Sequence, residues 1–213
     1  PDNLFITDLQ EKFQTAGIEV KNSNLGQLPE TTWFHYPSDY LGDIVHSLNV
    51  RSDNLYAESV LRLLSLSAHE KGSAEKGIDI IRKYWQNYEA DSLELFMYDG
   101  SGLARNNKVS AKYLNCVLKE TARDSLIGEY FVQTLPLAGK EGSVATIMKH
   151  GELPGELRLK SGSMSDVHAY AGYYTTPQNR YAIVVMINNY TCTRAQLKQK
   201  ISTLLTQVLS KKE

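Results

Sequence analysis

The chain has 213 residues, of which 42% are hydrophobic, and its formal net charge is −1 at pH 7. It is long enough to bury a sizeable core, as one large domain or two small ones. It has no basic surplus for nucleic acid, no polybasic block for an anionic membrane, and no apolar run long enough to span a bilayer. Residue 1 is Pro and no signal peptide follows, so we expect a processed chain or a piece of a longer one.

The chain opens with helical patterns. Apolar residues recur at helical spacing over residues 3–16, and Gly17 is predicted to stop that helix. A polar loop with a short strand at 18–20 and an extended aromatic segment at 31–36 are expected next. Ser38 is placed to cap the second helix.

Polar residues mark the starts of the helices that follow. Ser52, Asp53 and Asn54 lie where a helix begins, and capping by itself would explain residues of these types there. Two further helices are predicted to start at Ser73 and Ser110. The remaining predictions in this part of the chain are a strand over 93–98, a glycine-rich turn over 99–103, a helical stretch over 125–134 and a short helix from Gly142 to Lys149.

The last part of the chain predicts a sheet. Three runs, 156–164, 168–176 and 181–190, carry β-branched and aromatic residues and are separated by short turns, which indicates a three-stranded antiparallel meander. Thr193 is expected to begin a closing helix with one apolar stripe, which can cover one face of that sheet. Helices followed by a meander and a last helix predict an α+β fold.

The first predicted strand carries a group of residues that could face a peptide. Lys160 can attract a carboxylate, to which the hydroxyls of Ser161 and Ser163 can donate hydrogen bonds. Gly162 lets a ligand backbone approach closely. Taken alone, these four residues are more typical of a surface strand with a solvated lysine than of a binding site.

Metal and disulfide chemistry have little support in the sequence. Cys116 and Cys192 are too few for a disulfide framework and lack metal-ligand spacing, so we expect two buried small hydrophobes, with a single disulfide left open. The five histidines are scattered, and we expect them to be structural or solvated.

Ser-Asp-Asn at a helix start, followed by Lys-Ser-Gly on a later strand, resembles the signature of serine β-lactamases and penicillin-binding proteins. Four blocks sharpen the resemblance, at residues 50–58, 99–107, 135–142 and 159–173. In this order they resemble the C-terminal part of the D-alanyl-D-alanine carboxypeptidase/endopeptidase family, the class C low-molecular-mass penicillin-binding proteins. The resemblance covers nearly the whole chain.

The resemblance implies a fold. It makes residues 1–213 the C-terminal part of a single transpeptidase-like domain, mainly helical over 1–150 and with the sheet and closing helix over 151–213. The family's two other strands lie upstream of its nucleophile. We therefore expect an unpaired sheet edge here, and since such edges associate readily, a homodimer formed through it.

The sequence departs from the family pattern at three points. Ser161 and Ser163 stand where threonines are usual and keep both hydroxyls, and Ala104 replaces a serine. The family's nucleophile motif, Ser-x-x-Lys, precedes Ser-Asp-Asn, whereas the one formal match here, Ser73 to Lys76, follows it and is predicted to be a helix cap. We therefore expect the nucleophile to be missing from this chain.

The resemblance implies acyl-enzyme hydrolysis of the D-Ala-D-Ala bond in peptidoglycan stem peptides, as carboxypeptidase and endopeptidase. It assigns Ser52 to relay a proton toward the leaving amine, with Lys160 beside it, and Asn54 to hold the substrate amide. Ser161 and Ser163 would bind the terminal carboxylate.

The same resemblance implies the partners and the compartment. It requires no metal or organic cofactor, places the protein in the periplasm or another extracytoplasmic space, and makes β-lactams substrate mimics of the full-length enzyme. Two alternatives stay open. One is a non-catalytic, truncated module that binds peptidoglycan stems or a partner protein, and the other is an esterase or amidase of the same fold.

Overall fold

The structure is a computed structural model that describes residues 2–19, 37–68, 71–88, 92–148 and 153–211. The chain divides into two compact units, Pro1–Ser38 and Asp39–Glu213. No helix in the described ranges combines the length and the apolar character needed to cross a bilayer.

The first unit contains helix α1, which spans Asp2–Thr15. The predicted helix and its stop are confirmed, because Gly17 adopts a φ of +71°, a left-handed conformation that glycine tolerates without steric cost. Ile18 and Glu19 do not form a strand. Val20 and the aromatic segment predicted at 31–36 lie outside the described residues.

The second unit contains the remaining helices and strands. Its helices are α2 (Leu41–Arg51), α3 (Asn54–Ser67), α4 (Ala74–Trp85), α5 (Ala111–Arg123), α6 (Gly128–Thr134) and α7 (Arg194–Leu209), with 3₁₀ turns at Ser92–Glu94 and Gly142–Val144. Its strands are β1 (Leu95–Phe96), β2 (Lys108–Val109), β3 (Glu156–Ser163), β4 (Val167–Thr175) and β5 (Arg180–Asn188). Strands β1 and β2 pair with each other, whereas β3, β4 and β5 form an antiparallel meander in that order. The predicted α+β fold is confirmed.

Side-chain caps determine where helices α4, α5 and α7 begin. Ser73 and Ser110 each accept a hydrogen bond from the backbone N–H three residues later, which satisfies a donor that the first helical turn leaves unpaired. Thr193 and Gln196 form a reciprocal capping box at the start of α7. All three predicted starts are confirmed.

The start predicted for the second helix was wrong. Ser38 does not cap it: Tyr40 is the N-cap of α2 and makes no side-chain cap hydrogen bond. The helix predicted from residue 125 also starts later, at Gly128. Asp124 accepts hydrogen bonds from the backbone N–H groups of the second and third residues after it, and these close a turn where the helix was expected.

Two other predicted elements are shorter than expected. The strand predicted over 93–98 contains only β1, because the chain before it winds into a 3₁₀ turn. The helix predicted from Gly142 is a single 3₁₀ turn that ends at Val144, and Lys149 lies outside the described residues.

The meander is packed on both faces, and strand alternation decides which residue faces which layer. One face holds Leu157 and Leu159 of β3 against the apolar stripe of α7, formed by Leu197, Ile201, Leu205 and Leu209. On the other face, Tyr173 packs against residues of α5 and α6 and donates a 2.7 Å hydrogen bond to the Leu118 carbonyl. The predicted cover of one sheet face by the closing helix is therefore confirmed.

The two outer edges of the meander differ. The Leu159 N–H donates to the Pro136 carbonyl and the Ala138 N–H to the Leu157 carbonyl, so the segment before the Gly142 turn covers part of the outer edge of β3. Within the described ranges, no strand pairs with the outer edge of β5. A homodimer formed through that edge stays a prediction.

The two cysteines are only half-buried, which corrects the expectation of two buried side chains. Cys192 packs at the border of the core beneath α7. No disulfide joins it to Cys116.

His168 on β4 is a buried titratable group, 2% exposed. Its Nε2 lies 2.9 Å from the Tyr170 hydroxyl, and its Nδ1 has no hydrogen-bond partner. Burial lowers the pKa of His168, and the positive charges of Lys198 and Arg194 on α7 lower it further. The folded chain therefore holds a neutral imidazole at a pH where the unfolded chain already binds a proton.

This linkage predicts a loss of stability in acid. The stabilisation is complete above the unfolded pKa of about 6.5 and is lost as the pH falls through the lower pKa of folded His168. We expect His168→Gln to show a smaller fall in the free energy of unfolding between about pH 7.5 and about pH 5, measured by urea denaturation. His46→Gln is the control, because His46 is exposed. Parallel pH profiles for the wild type and His168→Gln would contradict the assignment.

Candidate active site

The Ser-Asp-Asn motif forms the junction between α2 and α3. Ser52 ends α2 in the left-handed region, at φ 56° and ψ 50°, which is uncommon for a residue with a Cβ and is often found at functional sites. Asp53 caps α3 by accepting the Tyr56 N–H at 3.1 Å. At this abrupt junction both Ser52 and Asn54, which are two residues apart, are exposed.

Lys160 reaches this junction from β3. Strand alternation places it on the sheet face opposite α7, since its neighbour Leu159 points into the core beneath that helix. Its Nζ donates hydrogen bonds to Ser52 Oγ at 2.8 Å and to the Ser161 carbonyl at 2.9 Å. Two motifs 108 residues apart are thereby in direct contact.

The environment of Lys160 makes its charge available to a ligand. Among the residues that the structure describes, no carboxylate lies within 4.0 Å of its ammonium group. Burial lowers the pKa of Lys160, because removal from water disfavours the charged form. A partly desolvated, unpaired ammonium group strongly favours the approach of an anion.

Ser161 contacts Ser143, a residue that was not among the predicted site residues. Its Oγ donates a 2.7 Å hydrogen bond to Ser143 Oγ in the 3₁₀ turn. That turn lies against α2, since a Cβ on Gly142, at φ +49°, would be only 2.2 Å from the Val50 carbonyl oxygen. The one signal for Ser143 was its place directly after the 135–142 block.

The rest of the predicted group lies open. Gly162 and Ser163 are exposed, and a Cβ added to Gly162 would meet nothing within 4 Å. Within the described ranges, no side-chain hydrogen bond joins Asn54 or Ser163 to Ser52 or Lys160. The structure thus brings Ser52, Lys160 and Ser161 together and leaves the other three predicted residues at the free surface nearby in sequence.

The glycine-rich block is held against α3 by a carboxylate that the sequence analysis left without a role. Glu58 Oε1 accepts hydrogen bonds from the Gly100 N–H at 3.1 Å, the Ser101 N–H at 3.0 Å and the Ser101 hydroxyl at 2.7 Å. A Cβ on Gly100 would lie 2.6 Å from the Ala57 carbonyl oxygen, so only glycine allows this approach. Glu58 therefore ties the loop to the helix that the Ser-Asp-Asn motif begins.

Asp99 orders the same loop from within. Its carboxylate accepts hydrogen bonds from the Gly102 and Ala104 backbone N–H groups and from the Asn107 side chain. Slight burial raises the pKa of Asp99, but the hydrogen bonds from Asn107 and the backbone outweigh it and lower the pKa overall. The loop is thus preorganised by two carboxylates.

The formal Ser-x-x-Lys match is a helix start. Ser73 Oγ accepts the Lys76 N–H at 3.4 Å, and the Ser73 N–H donates to the buried Ser65 hydroxyl at 2.8 Å.

No group of three or more His, Cys, Asp or Glu side chains in the described part of the chain is arranged to hold a metal ion.

Comparison with known proteins gives one consistent family. The model of the D-Ala-D-Ala carboxypeptidase 3 (S13) family matches residues 1–211. The D-alanyl-D-alanine carboxypeptidase DacB of Haemophilus influenzae is 27% identical over 206 residues, which cover 92% of this chain and 42% of the relative. The D-alanyl-D-alanine carboxypeptidase of an Actinomadura species is 25% identical over 193 residues, covering 85% of this chain and 36% of the relative.

A solved structure agrees with these relatives. The crystal structure of penicillin binding protein 4 (dacB) from Haemophilus influenzae, complexed with a β-lactam, superimposes with a TM-score of 0.74 at 25% identity and covers 94% of this chain and 49% of that one. The chain thus spans less than half the length of each of these relatives. The resemblance drawn from the motifs is confirmed, and the chain belongs to the D-Ala-D-Ala carboxypeptidase 3 (S13) family.

Proposed function

We propose that this chain carries the proton-relay and carboxylate-binding half of a serine-type D-Ala-D-Ala carboxypeptidase/endopeptidase that acts on peptidoglycan stem peptides. The observation that supports it most directly is the 2.8 Å hydrogen bond from Lys160 Nζ to Ser52 Oγ. This hydrogen bond joins the Ser-Asp-Asn and Lys-Ser-Gly motifs in a chain of this family. Acyl-transfer chemistry on such a peptide would need these two motifs side by side.

The direction of this hydrogen bond suits a proton relay. A hydroxyl has one proton and two lone pairs, and Ser52 uses a lone pair to accept from Lys160. The Ser52 proton is therefore free for another acceptor, and we assign it to the leaving amine of the scissile D-Ala-D-Ala bond. Asn54, exposed two residues further on, is assigned to the substrate amide through its paired donor and acceptor groups.

The carboxylate end of the substrate is assigned to β3. The unpaired Lys160 ammonium would attract it, the Ser163 hydroxyl would donate to it, and Ser161, whose proton is bonded to Ser143, would bind it through that pair of hydroxyls. The open space beside Gly162 leaves room for the peptide backbone to lie along the strand.

We assign the role of nucleophile to none of the serines of this chain. The one Ser-x-x-Lys match uses Ser73 Oγ to cap α4, so it is already hydrogen-bonded in a structural role.

We further propose an extracytoplasmic location, since that is where peptidoglycan stem peptides are met. β-Lactams would act as substrate mimics only when the nucleophile is present.

Two measurements on the 213-residue chain test the proposal. Intact mass after incubation with penicillin is expected to show no covalent adduct, and a stoichiometric adduct mapped to Ser73 or another serine would overturn the half-site assignment. Calorimetric titration with diacetyl-L-Lys-D-Ala-D-Ala is expected to show binding that the L-Ala-L-Ala counterpart lacks. Equal binding of both peptides, or of neither, would refute the substrate assignment.

A further inference from the structure

Ser161 and Ser143 form a pair of hydroxyls on two different elements. Their Oγ atoms are 2.7 Å apart, one on β3 and the other on the 3₁₀ turn 18 residues earlier. Ser143 is exposed and Ser161 is partly exposed, so the pair is open to a ligand. The Ser161 carbonyl accepts a hydrogen bond from Lys160 Nζ, which places the cation beside the pair.

The hydrogen bonding within the pair leaves one donor free. Ser161 spends its only proton on Ser143, whereas the Ser143 proton has no acceptor among the described residues. A hydroxyl that accepts one hydrogen bond and can still donate another is polarised toward an anion. The free donor therefore lies on Ser143, the residue that the motif does not contain.

The turn holds Ser143 firmly in place. The flanking Val144 is fully buried in the core beneath the sheet, and its carbonyl accepts the Gly139 N–H. On the other side Gly142 rests against the Val50 carbonyl at a distance that no side chain allows. Because both neighbours are fixed, the Ser143 hydroxyl is preorganised and loses little conformational entropy when it binds a ligand.

We propose that Ser143 is a carboxylate-binding residue: it keeps the hydrogen bond that it accepts from Ser161, donates its own proton to the C-terminal carboxylate of the peptide, and so contributes to selection of a free carboxyl terminus. This inference rests on the proposed function. It adds a specificity-determining side chain from the 3₁₀ turn to the group on β3.

The test compares two probes on the 213-residue chain: diacetyl-L-Lys-D-Ala-D-Ala and the same peptide with a C-terminal amide. Ser143→Ala is expected to weaken binding of the acid about tenfold, the effect of losing one hydrogen bond to a charged group, and to leave binding of the amide unchanged. Ser143→Thr, which keeps the hydroxyl, should restore the preference for the acid. Thr146→Ala is the matched control, because it removes another exposed hydroxyl just after the same turn.

The outcomes separate this inference from the proposed function. If the wild type prefers the acid and Ser143→Ala keeps that preference, the role of Ser143 is refuted while the proposed function stands. An equal loss of affinity for both peptides in Ser143→Ala would mean a structural role and would also refute it. If the wild type binds neither peptide, the proposed function fails and the inference fails with it.

Discussion

Lys160→Met is expected to remove most of the affinity for a peptide that ends in D-Ala-D-Ala. Its ammonium group is partly desolvated and has no carboxylate partner among the described residues, so a bound carboxylate would be its counter-ion. Truncating one partner of a desolvated charge pair typically costs about 2 kcal/mol or more, which is roughly a thirtyfold loss of affinity.

The same substitution is expected to stabilise the fold. Burial lowers the pKa of Lys160, which means that the charged side chain is less favourable in the folded chain than in water. Methionine has a similar length and carries no charge, so we expect the free energy of unfolding to rise. Opposite effects on binding and stability are the mark of a functional residue kept at the expense of stability.

Urea denaturation and calorimetric titration of the same protein samples measure the two effects. Lys200→Met is the control: it removes an exposed lysine from α7, on the other face of the sheet, and should change neither quantity by much. If Lys160→Met destabilises the chain, or binds the acid peptide as tightly as the wild type does, the assignment of Lys160 is wrong.

Gly172→Ala is expected to cause a large loss of stability. Gly172 pairs with Leu159 across β4 and β3, and an alanine Cβ there would lie 2.0 Å from the Arg158 carbonyl oxygen and 3.0 Å from the Leu159 Cα. Both contacts are with backbone, which cannot move aside as a flexible side chain can. The two strands would have to separate beside Lys160, and we expect a cost of about 3 kcal/mol together with weaker peptide binding.

A second glycine of the same sheet supplies the matched control. Gly162 lies on β3, and an alanine Cβ there would meet nothing within 4 Å. Gly162→Ala should therefore leave the midpoint of urea denaturation nearly unchanged but weaken peptide binding, because the added methyl group occupies space assigned to the ligand backbone. Similar midpoints for Gly172→Ala and the wild type would show that β3 and β4 tolerate the side chain.

The sequence was sufficient for the elements whose cause is local. Ser73, Ser110 and Thr193 sit before apolar-periodic runs, and a side-chain cap acts within three residues of its position, so those helix starts could be predicted. The meander could be predicted because each strand is eight or nine residues long, and a pattern that continues over so many residues is a strong local signal for a strand. The family followed from the order of short motifs, each of which is a local pattern.

Local signals failed where neighbours in space determine the conformation. α2 begins without the side-chain cap expected from Ser38, and the helix expected after Gly142 is a single turn. In the second case the glycine is pressed against the Val50 carbonyl and Val144 is drawn into the core, contacts with α2 and the sheet that local propensity does not contain.

The sequence by itself thus determined the capped helix starts, the meander and the two motifs, because these depend on residues a few positions apart. Only the tertiary structure decided that Lys160 meets Ser52 across 108 residues, that Glu58 holds the glycine-rich loop, and that Ser143 lies beside Ser161. The physical reason is that these contacts join different elements. Their distances depend on how the sheet packs against the helices, and no periodicity or spacing along the chain records that packing.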